Sequence, residues 1–358
     1  MKILDKYISK NFLTTFFLAL VLIILISVVF DITEKMDDFI ERHSPFREMV
    51  FDYYLNFIPY FANLFTPLFV FIAVIFFTAK MAMRTEIVAI LNSGVSFRRL
   101  LMPYMACAIF IGGMNFYFNG WLIPHANKTR LEFENKYIGS PVPSNDRNFH
   151  RQVSPGVFFY IESYNTRMNI GSHFSIEKIK NGSRYYFLNS DQVTWDSIKQ
   201  NWRIDNYYIR EINGMHESIR SGTHLDTVLS MSPKDFKRRD DIIDAMDSPT
   251  LNAFIREQQL QGSGKINTYL NEKHRRISGP FATLILTLIG VSLSSRKVRG
   301  GIGLQIGVGM LLGFAYILFM QITKTFSESS IIPPFVAMWL PNIIFLCIAL
   351  SLVRYAPK

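Results

Sequence analysis

The sequence predicts an α-helical integral membrane protein with six transmembrane helices, three on each side of an inserted all-β domain. Six apolar runs, near 12–30, 52–78, 101–122, 277–294, 302–321 and 335–353, come close to the roughly 20 residues that cross a bilayer. Residues 153–232 instead alternate apolar and polar positions with period two. Charged residues make up 18% of the chain, below the roughly one quarter that soluble domains contain.

The first part of the chain, residues 1–122, is predicted to hold transmembrane helices 1–3. No small-residue cleavage site follows the first run, so this run is expected to remain as a membrane anchor. Segments 1–11, 79–99, 295–299 and the C-terminal tail hold 12 Lys/Arg and only two acids, Asp5 and Glu86, which accounts for the whole net charge of +10. By the positive-inside rule these segments and both termini are predicted to be cytoplasmic. The basic excess therefore indicates topology and not nucleic-acid binding.

A short cytoplasmic helix is predicted at 84–93, between the second and third runs. Thr85 is expected to cap its N-terminus, and Glu86 lies in the first turn, where the helix dipole favours an acid. Three apolar residues share one face at the spacing i, i+3, i+4: Ile87, Ile90 and Leu91. Two interpretations stay open. The helix either lies on the lipid surface or docks its apolar face into a groove on a cytosolic partner, where Glu86 meets a basic residue.

The end of this helix is predicted from its turn residues. Gly94 is expected to stop it, and Ser96 is expected to cap the next helix, which carries Arg98 at its base and runs into the third span.

The insert, residues 123–276, is predicted to be a periplasmic domain. Turn signals separate its alternating runs, and six or more short strands over about 153–232 indicate a small sandwich or jelly-roll-like barrel. Connecting helices follow: one with Ser248 as N-cap, Pro249 in the first turn and Gly262 past its end, and a second near 264–276. Residues 277–358 then hold transmembrane helices 4–6.

No chemistry-bearing motif accompanies these elements. "QGSGKIN" (261–267) is not a phosphate-binding loop, because Gln259 stands where the first glycine should be and Ile266 where Ser or Thr should be. Neither H-E-x-x-H nor G-x-S-x-G occurs. No cofactor is expected in this chain, and any ATP hydrolysis with its Mg²⁺ is expected to belong to a separate subunit.

Several stretches together carry a family resemblance. They are "EIVAILNSGVSFRRLL" (86–101), "WLIP" (121–124), "YLNEKHRRISGPFATLILTLIGVSLSSRKVRGG" (269–301) and "IIPPFVAMWLPNIIF" (331–345). In these stretches and in the order of spans and insert, the chain resembles the LptF/LptG family of lipopolysaccharide export permeases. The opening "ILDKYI" is more similar to the G-type member.

The resemblance implies a transporter permease without enzyme activity, in the bacterial inner membrane, with a periplasmic jelly-roll domain. It implies a complex with an F-type permease, two copies of the ATPase LptB, the membrane-anchored protein LptC and the bridge protein LptA. The 84–93 helix would dock on one ATPase copy, with Glu86 as the coupling acid and with Ile87, Ile90, Leu91, Gly94 and Arg98 around it.

The implied substrate is an anionic lipid with several acyl chains. Apolar candidates for its cavity are Phe61, Phe65 and Phe314, and cationic candidates near the outer rim are Lys35, Lys128, Arg130 and Lys324. The acid-rich stretch around Lys35 departs from the G-type pattern, so Lys35 could equally pair with a neighbouring acid.

Further alternatives remain open at this stage. The glycines of the fifth span would serve packing within the subunit or a sliding gate against the partner's first span. An integral-membrane lipid-modifying enzyme with a periplasmic β module is the main competing function. It would require clustered catalytic side chains at the outer face. A secondary transporter would require ionisable residues at mid-membrane.

Overall fold

The computed structural model describes residues 3–138, 147–165, 168–180, 182–197, 199–229, 233, 240–296 and 301–356. The chain divides into two compact units. One comprises 1–138, 244–249 and 267–358, and the other comprises 139–243 and 250–266. The first unit is helical and the second is built around a β-sheet, which confirms the predicted fold class.

The helices of the described residues follow the predicted order. They are α1 (Ile3–Glu41), α2 (Phe46–Met83), α3 (Glu86–Asn92), α4 (Phe97–Tyr137), α5 (Ser248–Leu260), α6 (Ile266–Ser294), α7 (Gly301–Glu328) and α8 (Pro334–Arg354). Six of them, all except α3 and α5, are long and apolar enough to cross a membrane. Short π-helical turns interrupt α2 at Met49–Tyr54 and α4 at Phe118–Leu122. A 3₁₀ turn at Asp240–Ala245 precedes α5.

Burial separates central from peripheral helices. In its most apolar window α6 is 67% buried, because it packs against α2, α7 and α8, whereas the windows of α1 and α7 are only 17% and 22% buried. Two glycines of α7 allow close packing on α2. A Cβ at Gly309 would overlap Ile75, and a Cβ at Gly313 would lie 3.1 Å from Leu68. Gly303 and Gly307 face open space, so packing within the subunit explains only part of the glycine pattern.

The third span is longer than predicted. Its helix continues through Ile123–Tyr137 and does not end near residue 122. The extension is amphipathic, and Phe133 and Tyr137 are buried against Phe39, Tyr53 and Phe57 of α1 and α2. This aromatic cluster gives residues 123–137 a helical partner. The compact sheet unit, 139–243 and 250–266, therefore contains fewer residues than the predicted insert at 123–276.

The sheet has six strands in sequence order, each antiparallel to its neighbour. They are β1 (Arg147–Ser154), β2 (Val157–Asn165), β3 (Ile170–Lys180), β4 (Ser183–Asp196), β5 (Asn201–Asn213) and β6 (His216–Thr227). Among the described strands this order is that of a meander. It differs from the predicted jelly-roll-like barrel, whose strands are joined by Greek-key connections. One face is closely packed, with Phe174, Ile204 and Trp202 almost fully buried. The β-hairpin between β5 and β6 turns at Gly214, whose φ of +64° glycine adopts without strain.

Helix α5 follows its predicted boundaries to within a residue. The helix starts at Ser248 and ends at Leu260, and Gly262 beyond it has a φ of +67°. The second connecting helix is not separate, because it continues without a break into the fourth span as α6.

Candidate functional site

Helix α3 is anchored to the rest of the helical unit by the face that was expected to meet a partner. Ile87 is 1% exposed and belongs to a core with residues of α1, α2 and α4, while Ile90 and Leu91 pack against that core. The prediction that all three insert into a partner's groove is therefore wrong for Ile87. A seven-residue helix is only marginally stable in isolation, and this packing holds it in place.

The opposite face of α3 is the one that is accessible. Val88 is 47% exposed, and Ala89 and Asn92 beside it are also exposed. The sequence reasoning missed these residues because it assigned the apolar stripe to a partner. The signal was present, since Val88, Ala89 and Asn92 lie at i, i+1 and i+4 on the other side of the helix.

Glu86 is held by a contact within the chain. The Tyr7 hydroxyl of α1 donates a hydrogen bond to Glu86 Oε2 at 3.0 Å, and Arg84 Nη1 lies 4.0 Å from Oε1. Two residues before Tyr7, Asp5 of α1 forms an ion pair with Arg99: Arg99 Nη2 donates a hydrogen bond to Asp5 Oδ2 at 2.8 Å, and Arg99 Nη1 lies 2.7 Å from Asp5 Oδ1. The N-terminal end of α1 is thus bonded both to α3 and to the start of α4.

The predicted caps around α3 are partly correct. Ser96 accepts a hydrogen bond from the Arg99 amide at 3.3 Å, and Gly94 has a φ of +87° directly after the helix. Thr85, however, does not cap α3. Its φ is +60°, and its hydroxyl instead donates to the Arg84 carbonyl. The prediction for Thr85 is wrong because the tight α2–α3 turn requires a left-handed residue there, and this conformation directs the hydroxyl backwards.

A cavity of about 620 Å³ lies among α2, α4, α6, α7 and α8. One end is polar and is lined by Tyr60, Asn119, Asp244, Arg275, Gln321 and Lys324. The other end is apolar and is lined by Phe65, Leu68, Leu286, Phe314 and Ile317. Arg275 and Leu286 lie on the same helix, so at 1.5 Å per residue the two ends are about 16 Å apart. The cavity can therefore accept an elongated amphiphile.

A charged cluster lies at the polar end. The Glu272 carboxylate accepts hydrogen bonds from Arg275 Nε at 2.8 Å and from Arg276 Nε at 2.8 Å, and Arg276 Nη1 donates to the Met246 carbonyl at 2.7 Å. Burial, reinforced by the negative charge of Glu272, raises the pKa of the Asp244 carboxyl above its ordinary value. Because Arg275 forms an ion pair with Glu272, the positive charge of Arg275 is largely neutralised.

Three predicted substrate-binding residues meet in this cavity. Phe65 and Phe314 lie in its apolar half, and Lys324 lies at its polar end. The Lys324 side chain is 40% exposed, and its nearest described carboxylate is Glu328 at 3.8 Å. It is consequently the lining cation best able to receive an anionic group.

The other four predicted substrate residues lie elsewhere. Lys35 is 20% exposed, forms an ion pair with Asp31 at 2.9 Å and contacts the Tyr53 hydroxyl, so its charge is used within the subunit. Phe61 stacks on Phe57. These contacts explain why Lys35 and Phe61 do not face the cavity.

Lys128 and Arg130 both lie on the extended part of α4. Lys128 is exposed. Arg130 is mostly buried, pairs with Glu134 at 3.5 Å and lies over the Tyr60 ring at 5.0 Å. Arg130 thus supports Tyr60, which itself lines the cavity.

The polar lining residues of α6 and the 3₁₀ turn were not anticipated. Arg275 and Glu272 appear in the sequence as part of a mixed charge run, which indicates a solvated helix start as readily as a cavity rim. Asp244 is 28 residues away from Glu272 in the sequence, and their proximity depends on the tertiary fold. Within the described residues no group of three or more His, Cys, Asp or Glu side chains could hold a metal ion.

Comparison with known families gives one result for almost the whole chain. The family described as lipopolysaccharide export system permease LptF/LptG matches residues 6–355. Among curated proteins, none matches the chain significantly.

Proposed function

Since the chain belongs to the LptF/LptG family of lipopolysaccharide export permeases, we propose that it is the G-type subunit and that lipopolysaccharide enters the 620 Å³ cavity. The opening "ILDKYI" supports the G-type assignment. Family membership identifies a transporter permease and a multi-pass inner-membrane protein, which sets aside the lipid-modifying enzyme. The family also places the chain in a lipopolysaccharide export complex with other Lpt proteins.

The convergence of Phe65, Phe314 and Lys324 on one cavity carries the substrate proposal. An acyl chain of the lipid would occupy the apolar half, and a phosphate would approach Lys324 through a charge-assisted contact. Arg275 would help to orient the polar headgroup of the lipid. It would not bind the phosphate strongly, because its guanidinium already donates two hydrogen bonds to Glu272.

In the proposed topology both termini and α3 are cytoplasmic, and the sheet domain is periplasmic. The distribution of basic residues supports this orientation. The partners would be an F-type permease, two copies of LptB, and LptC and LptA on the route to the outer membrane. ATP and Mg²⁺ would bind to LptB, which would contact the exposed face of α3 at Val88, Ala89 and Asn92. Glu86 stands beside this face.

A photo-cross-linking experiment tests the substrate site. Phe314 and Phe110 are 49% and 57% exposed in this chain, and Phe110 does not line the cavity. Each would be replaced in turn by p-benzoylphenylalanine in the assembled transporter. We expect lipopolysaccharide cross-links at Phe314 that decrease when ATP is supplied, and weak, ATP-independent cross-links at Phe110. Equal labelling at the two positions would reject the cavity as the substrate site.

Affinity purification of the full chain tests the partner assignment separately. We expect a second six-span chain and a soluble ATPase to co-purify. Purification of a single chain without an ATPase would argue against the complex.

A further inference from the structure

We propose that a second cavity, lined by Arg98 and Arg354, binds the phosphate of an anionic phospholipid from the cytoplasmic leaflet. The cavity has a volume of about 550 Å³ and lies between the start of α4 and the end of α8. Its leaflet assignment rests on the topology proposed above. Arg98, which the sequence places beside the ATPase-coupling helix, lines this cavity.

The charge distribution around this cavity points to an anionic ligand. Arg98 and Arg354 come from two different helices and line the same space. Neighbouring cations have acids nearby: Arg99 pairs with Asp5, and Arg84 lies 4.0 Å from Glu86. Among the described residues, neither Arg98 nor Arg354 has a carboxylate within ion-pair distance. Two guanidiniums that line one cavity and have no carboxylate partner in the described part of the chain favour a ligand that brings its own negative charge.

The remaining lining indicates that the ligand also has an apolar part. Phe97, Leu350, Val353 and Ala356 form most of the wall. Basic pockets between transmembrane helices on the cytoplasmic side are suited to anionic lipid headgroups, because this leaflet is negatively charged. A simple topology anchor would need the charges but not the apolar cavity.

The expected selectivity follows from the same geometry. Phosphatidylglycerol has a net negative headgroup, whereas phosphatidylethanolamine carries an ammonium group that two guanidiniums would repel. Bidentate contacts between guanidinium and phosphate suit arginine better than lysine. The cavity should therefore prefer phosphatidylglycerol.

Native mass spectrometry of the purified full chain in detergent, titrated with each phospholipid, tests this proposal. We expect an Arg98→Gln/Arg354→Gln variant to bind phosphatidylglycerol about thirtyfold more weakly, which corresponds to about 2 kcal/mol for two charges near the membrane surface. The matched control is Lys10→Gln/Lys80→Gln. It removes two exposed cations that lie outside the cavity and should bind like the unmodified chain.

Two further variants separate charge from folding defects. Leu350→Trp keeps both guanidiniums but fills the cavity, and it should also weaken phosphatidylglycerol binding. Arg98→Lys/Arg354→Lys keeps the charges and should retain part of the affinity with a weaker preference over phosphatidylethanolamine.

Three outcomes would overturn the proposal. The first is the absence of a specific charge effect, seen either as equal binding of both phospholipids or as an equal loss of phosphatidylglycerol affinity in the control variant. The second is binding of inorganic phosphate alone as tightly as phosphatidylglycerol, which would indicate a soluble phosphate ligand. The third is unchanged phospholipid binding in the double Gln variant with loss of ATPase co-purification, which would indicate a partner contact. None of these outcomes bears on the cross-linking at Phe314, so the two proposals can fail separately.

Discussion

Glu272 is predicted to be the most sensitive polar residue of the helical unit. Its side chain is 13% exposed and accepts hydrogen bonds from Arg275 and Arg276, whose side chains are 36% and 5% exposed. In Glu272→Gln the shape is kept and one acceptor oxygen remains, but the negative charge is lost. Arg276 would then be a buried cation that has lost its ion pair with Glu272 and keeps other contacts, among them the hydrogen bond to the Met246 carbonyl.

The magnitude follows from the burial of the two arginines. Removing one partner of a buried ion pair costs about 3–5 kcal/mol, because the remaining charge is left uncompensated. Arg275 can recover solvent contact, so the lower end, about 3 kcal/mol, is expected. At about 2–4 °C per kcal/mol for medium-sized domains, this corresponds to a decrease of about 6–12 °C in Tm.

Thermal unfolding of the purified chain in detergent, followed by intrinsic fluorescence, measures this effect. Glu328→Gln is the matched control, since Glu328 forms an i,i+4 contact with Lys324 at 3.8 Å and both side chains are at least 35% exposed. Surface pairs contribute about 0–1 kcal/mol, so its Tm should change little. If Glu272→Gln unfolds at the same temperature as Glu328→Gln, the inference that burial makes this cluster structural is refuted.

Three further predictions follow. Gly309→Val should lower Tm, because the added side chain would overpack against Ile75 at a cost of about 1–3 kcal/mol. Gly307→Val should leave Tm unchanged, because Gly307 faces open space. Equal shifts of Tm in the two variants would contradict this packing. Because the pKa of Asp244 is raised, its protonated form stabilises the fold at low pH, and this contribution is lost as pH rises above about 4 through the raised value. Asp244→Asn should therefore flatten that part of the Tm profile against pH, and an unchanged profile would exclude it. Glu86→Arg should reduce co-purification of the ATPase with little change in Tm; full co-purification would remove Glu86 from the interface.

The helical architecture was predictable because its signals are local. Each apolar run has the length and composition of a span, and the alternation over β2–β5 corresponds to strands that bury one face. The strand order was less accessible, because period-two alternation is the same in a meander and in a jelly roll. The end of α4 was missed for a related reason. Residues 123–137 are polar overall, and their helix depends on Phe133 and Tyr137 meeting α1 and α2.

The candidate sites show the same limit at the level of side chains. Phe65, Phe314 and Lys324 were predicted from residue type and depth in the span, and the cavity brings them together. Lys35 has an equally suitable residue type, yet Asp31 one turn earlier compensates its charge and the Tyr53 hydroxyl of α2 accepts a hydrogen bond from it. Residue type can nominate a lipid-binding cation. Only the three-dimensional arrangement shows whether its charge is already neutralised.

Contacts at the two ends of α1 connect the region of α3 with the aromatic cluster near α4. At one end Asp5 binds Arg99 and Tyr7 binds Glu86, and at the other Lys35 and Asp31 contact Tyr53. Between these ends α1 exposes most of its apolar surface, and its most apolar window is the least buried of the six spans. A displacement of α3 must therefore either break the hydrogen bond to Tyr7 or move α1 with it. Ile8, Phe12 and Phe16 of α1 belong to the same core as Ile87 of α3, so we expect a displacement of α3 to move the first half of α1 with it.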